Sequence, residues 1–92
     1  LMKLGKGVRY ITDSEREYIN NYYKNINSEW RIEDSEVVIV GPDIIELCYS
    51  LDYSIEGMEL DEVIEGVEEL YYTWYQERTG LYFIIVGEED CE

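Results

Sequence analysis

The chain has no histidine and no alanine, a single proline and two cysteines among its 92 residues. Without histidine it lacks the commonest general base and transition-metal ligand. Cys48 and Cys91 stand 43 residues apart with no CxxC spacing, which is not a zinc pattern. They read as free thiols of a reducing compartment, with a disulfide left open. Cys48 is flanked by Glu46, Ser50 and Asp52, with no cation nearby to activate it as a nucleophile. There is no glycine-rich phosphate loop, and no basic group stands where it would stabilise a developing anion. These gaps argue against an enzyme, and no cofactor and no metal is expected. No apolar run approaches the roughly 18 residues of a membrane helix, and the first ten residues lack a signal-peptide core. The expectation is a soluble, cytoplasmic protein that does not bind membranes.

Cations are also scarce. Seven Lys and Arg face 22 Asp and Glu, for a net charge of −15. Residues 1–28 carry a net +2, whereas residues 29–92 hold only Arg31 and Arg78 against nineteen acids. Such a field repels nucleic acid and anionic lipid and attracts basic partners. Direct nucleic-acid binding is not expected except through the basic stretch 1–11. The absence of alanine, with much Ile, Tyr, Glu and Asn, is the bias of AT-rich coding sequence. Ten tyrosines and two tryptophans argue against acidic disorder, so a folded chain is expected.

The length allows one domain, 1–92, with a basic amino-terminal arm at 1–11 and an acidic flexible tail at 87–92. Thr12 and Glu15 form a capping-box pattern that opens a helix, and Tyr18, Ile19, Tyr22, Tyr23 and Ile26 continue it at helical spacing to Asn27-Ser28. Trp30–Ile32 reads as a short strand and Glu36–Gly41 as a β-branched one, with a turn at Gly41-Pro42-Asp43. From Ile45 to Glu56 apolar and polar residues alternate strictly, which predicts a long strand. A helical reading of Ile44, Leu47, Cys48 and Leu51 fits locally but leaves Tyr49, Tyr53 and Ile55 unplaced. Between Glu59 and Arg78 the period becomes helical: Leu60, Val63, Ile64, Val67, Leu70, Tyr71, Trp74 and Tyr75 share a stripe, and Thr79-Gly80 closes it. The segment from Leu81 to Gly87 is a last strand. The order α-β-β-β-α-β predicts an α+β two-layer sandwich: a mainly antiparallel four-stranded sheet with two helices on one face.

Asp52, Ser54, Glu56 and Gly57 resemble the opening of a calcium-binding loop. The pattern breaks where a bidentate glutamate should stand, because that position is Val63, and the apolar eighth position is Glu59. Acidic residues of this segment are instead expected on one strand face.

The remaining feature is the polar face of the second helix. Asp61, Glu62, Glu65, Glu68 and Glu69 gather there with Tyr72 and Gln76, without one lysine or arginine. Like charges at i,i+4 cost an isolated helix about 0.2–0.5 kcal/mol each, so a helix kept for stability alone would intersperse cations. Carboxylates three and four apart stand about 5–6 Å from one another, a density comparable to the phosphates of duplex DNA. In its size, composition and carboxylate ridge the chain resembles the small acidic DNA-mimic inhibitors of phages and other mobile elements, of the anti-restriction and anti-CRISPR type. The resemblance implies an inhibitor that occupies the basic surface of a nucleic-acid-binding protein, acting in the host cytoplasm if viral. Asp61, Glu62, Glu65, Glu68, Glu69, Tyr72, Asp52 and Glu56 are the candidate contacts.

The competing reading is a small self-associating module with a merely solvated acidic helix. Val37–Val40 and Tyr82–Val86 are apolar on both sides, and helices on one sheet face alone would leave half of them wet. A homodimer through the other face would bury them.

Overall fold

The computed structural model describes residues 2–88. Among these the chain runs β1 (Arg9–Tyr10), α1 (Asp13–Asn25), β2 (Glu36–Gly41), α2 (Ile44–Ser50), α3 (Leu60–Leu70), β3 (Tyr72–Gln76) and β4 (Leu81–Glu88). The strands form one open antiparallel sheet in the order β1-β2-β4-β3. The α+β class and the four-stranded antiparallel sheet agree with the sequence; the element order and the placement of the helices do not.

Glu15 and Thr12 form the capping box of α1: the Glu15 amide donates to Thr12 Oγ1 at 3.2 Å and the Thr12 amide donates to Glu15 Oε1 at 3.0 Å. The helix ends with Asn27 at φ +61°, while the Ser28 amide reaches the Tyr23 carbonyl at 2.9 Å and the Asn27 amide reaches Lys24 at 3.1 Å. This pairing of the last carbonyls is a Schellman closure. Trp30–Ile32 is not a strand. Its backbone is held by a side chain instead, since Asn20 accepts from the Ile32 amide at 2.7 Å and donates to the Ile32 carbonyl at 3.0 Å.

The predicted long strand from Ile45 to Glu56 is helix α2 followed by a loop. Asp43 caps α2 by accepting from the Ile45 amide at 2.9 Å. A second Schellman closure ends it, with Asp52 at φ +57° and the Tyr53 amide donating to Cys48 at 2.9 Å. The i, i+3, i+4 set decides the segment, because Ile44, Leu47 and Cys48 are buried together. Tyr49 points to solvent, while Tyr53 and Ile55 reach the core from the loop beyond the helix. Alternation there was a coincidence of two elements in succession.

The predicted helix from Glu59 to Arg78 also divides. It stops at Leu70, and Tyr72–Gln76 turns back as β3 against β4, with Trp74 opposite Phe83 and Tyr75 opposite Tyr82. Helical spacing fitted these aromatics, but cross-strand pairing of aromatic and β-branched side chains stabilises the extended form. Gly80, read as a helix cap, closes the hairpin at φ +72°, its amide donating to Gln76 at 2.8 Å.

Alternate residues of the central strands bury into two cores. Val38, Val40 and Phe83 join Ile19 of α1 and Ile32; Ile39 and Ile84 join Leu47 and Cys48 of α2 and Val63 and Val67 of α3. The helices therefore lie on both faces of the sheet, one against two. That accounts for the doubly apolar strands within a single chain, so the premise that led to a dimer across an uncovered sheet face does not hold. Each fully buried aliphatic or Phe side chain contributes about 1.5–3 kcal/mol.

Of the stretch expected as a basic arm, 1–11, the described residues 2–11 lie against this body. Met2 and Leu4 pack on the α2/α3 core, the Gly5 amide donates to Ser50 Oγ at 2.7 Å and the Lys6 amide to Glu46 Oε1 at 2.9 Å. Of the tail expected at 87–92, Gly87 and Glu88 belong to β4; its remainder, Cys91 included, lies outside the described residues. No helix among the described residues is long and apolar enough to cross a membrane.

Candidate functional site

Helix α3 rests its apolar stripe, Val63 and Val67, on Ile39 and Ile84, which turns Asp61, Glu62, Glu65, Glu68 and Glu69 outward; all five are exposed. Among the described residues the ion pairs are Arg9–Glu15 at 2.7 Å and a loose Arg31–Glu33 at 3.9 Å, and neither involves this face. Arg16 is spent on the Glu33 and Glu36 carbonyls, and Arg78 lies over the Tyr18 ring at 5.0 Å. The ridge thus presents carboxylates without a cation. Glu62 has a local duty as well: its Oε1 accepts from the Glu59 amide at 3.1 Å, as half of a capping box.

The other predicted contacts divide. Asp52 and Glu56 are exposed, but not on a strand face. Asp52 is the left-handed residue that closes α2, and Glu56 lies in the α2–α3 loop. That loop is tied to α3 by Tyr53, whose hydroxyl lies where a Cβ at Gly66 would fall. Gly66 is the position that lets the loop approach the helix. Tyr72 is not on α3 but opens β3, where it stacks on Trp30 with ring centroids 5.3 Å apart and an angle of 28°. Gln76 ends the same strand. Glu68, Glu69, Leu70, Tyr71, Tyr72 and Thr73 line a shallow open depression of about 370 Å³ at the α3–β3 junction, which brings two of the ridge carboxylates beside Tyr72.

An aromatic ladder beside β3 was not anticipated from sequence. From Tyr72 and Trp30 it continues through Tyr23, Tyr22 and Trp74 to Phe83, with successive centroids 4.6–6.2 Å apart. Burial, then the neighbouring Tyr22 and Tyr72, pushes the Tyr23 phenol up. The signal was present in the alternation of Tyr72, Trp74 and Gln76 with Thr73 and Tyr75 ahead of Gly80, a hairpin pattern that a helical stripe overlay.

Cys48 is fully buried, and burial raises its thiol pKa. Val63, at the position a calcium loop needs for its bidentate ligand, is 1% exposed in the core. No cluster of three or more potential metal ligands occurs among the described residues.

Fold and site define a small α+β domain whose sheet lies between one helix and two, with an acidic helix face beside an aromatic edge. No protein family, no curated protein and no solved structure matches the chain.

Proposed function

We propose that the protein is an acidic inhibitor that binds a basic, nucleic-acid-binding protein and occupies the surface that protein uses for nucleic acid, in the manner of anti-restriction or anti-CRISPR DNA mimics. The observation that carries this reading is the α3 face, where five exposed carboxylates have no cation partner among the described residues. On a regular helix they stand about 5–6 Å apart along neighbouring turns, a charge density comparable to that of the phosphates that lysines and arginines grip. The protein would act where its target works, in the cytoplasm, without touching nucleic acid or membrane itself.

The test is competition. Proteins captured from host lysate on the immobilised chain should elute with duplex DNA or RNA, and capture should weaken as salt rises. The triple variant Glu62→Gln, Glu65→Gln, Glu69→Gln should fold normally, since glutamine still serves the capping box at position 62. It should bind the captured target at least about tenfold more weakly. Equal binding by the variant, or a ternary complex with nucleic acid at undiminished affinity, would show the reading to be wrong.

A further inference from the structure

We infer that the outer edge of β3 is a docking strand for an extended, lysine- or arginine-bearing segment of a partner protein, which pairs with it as a fifth strand of the sheet. The charge of this segment rests on the function proposed above; the mode of docking does not.

The sheet has two edges, and they differ. β1 is two residues long and carries Arg9, whose guanidinium is engaged by Glu15 at 2.7 Å; short, charged edges resist further pairing. β3 is five residues, Tyr-Thr-Trp-Tyr-Gln, without charge or proline, and no strand among the described residues pairs on its far side. Its outward backbone groups are available donors and acceptors, the requirement for strand addition. Tyr72 and Tyr75 stand exposed on opposite faces of the strand and offer contact to alternate side chains of an added strand.

Charge selects the occupant. Glu68 and Glu69 lie beside the Tyr72 end and Glu77 follows Gln76, whereas Arg78 is drawn onto Tyr18. An added strand therefore meets carboxylates at both ends. A second copy fits poorly: antiparallel pairing centred on Trp74 would bring Glu68 and Glu69 of one copy towards Glu77 of the other, between chains of net charge −15 each.

The probe is an eight-residue peptide of alternating lysine and valine, compared with the same peptide N-methylated at alternate backbone nitrogens, which keeps the charge and removes the donors of one edge. The unmodified peptide should slow hydrogen exchange at β3 amides and bind at least about tenfold more tightly than the methylated one. Glu68→Gln with Glu69→Gln should weaken both peptides while leaving β3 protection at saturation unchanged. Equal affinity for the two peptides, or protection away from β3, overturns strand addition, and if the glutamine variant still weakens both, the carboxylate surface survives. Affinity of the unmodified peptide that is indifferent to the glutamine variant and to salt, with protection still at β3, overturns the basic occupant, while the α3 ridge is judged separately by the competition test of the proposed function.

Discussion

Two single residues carry more of the local structure than their types suggest. Gly66 sits mid-helix, where glycine costs about 1 kcal/mol relative to alanine, yet an added Cβ would meet the Tyr53 hydroxyl and ring. Overpacking of this kind costs about 1–3 kcal/mol. Gly66→Ala should therefore destabilise the protein by about 1 kcal/mol net, but stabilise a Tyr53→Ala background by a similar amount. Urea denaturation of the four variants reads this out, and a gain in both backgrounds would refute the contact. Asp52 holds φ +57° without being glycine, so Asp52→Gly should raise stability by about 0.5–1 kcal/mol. The same geometry, with Val63 in the core, predicts that a calcium titration shows no saturable, micromolar site; isothermal calorimetry checks it. Sequence did not reveal the role of Asp52, because a strand face and a helix closure both place an acidic residue after an apolar one.

At the scale of the element, α1 is defined at both ends by its own neighbours. Arg9 binds Glu15 through two hydrogen bonds of 2.7 Å, and Glu15 also completes the capping box with Thr12. The guanidinium, helped by Thr12, holds the Glu15 carboxyl down to about 2. An unfolded glutamate titrates near about 4.3, so the contribution of Glu15 is complete above that pH and is lost as pH falls from there through about 2. Glu15→Gln should cost about 1 kcal/mol at pH 7, the ion pair being partly solvated, and the difference from wild type should close by about pH 2. Denaturation curves for both proteins at three pH values decide it; a gap that persists at the acid end would show the loss to be steric. The Thr12–Glu15 signal was legible because it is local. The end of α3 was not, since Leu70, Tyr71, Trp74 and Tyr75 satisfy a helical stripe and only pairing with β4 rejects it.

For the molecule as a whole, the excess of acid is a standing cost to the compact state. With Arg9–Glu15 the sole close ion pair among the described residues, screening removes more repulsion than attraction. Raising sodium chloride from about 20 mM to about 500 mM should lift Tm by about 5 °C, on the order of 1 kcal/mol for a domain of this size. A fall in Tm by calorimetry would mean that favourable pairs dominate. Under the proposed function the same salt should weaken partner binding, so stability and affinity should move in opposite directions.

The sequence alone determined the α+β class, α1 with its capping box, β2, the last strand, and the cation-free face of Asp61, Glu62, Glu65, Glu68 and Glu69. Each depends on residues within a few positions of one another, where spacing and caps act directly. The tertiary structure decided that Ile44–Ser50 is helical, that Tyr72–Gln76 is an edge strand, and that helices cover both sides of the sheet. In those segments two periodicities fit the same apolar residues. The choice was made by partners far away in the chain: Cys48 and Leu47 find Ile39 and Val67, and Trp74 finds Phe83 and Tyr22, contacts whose burial outweighs any local preference.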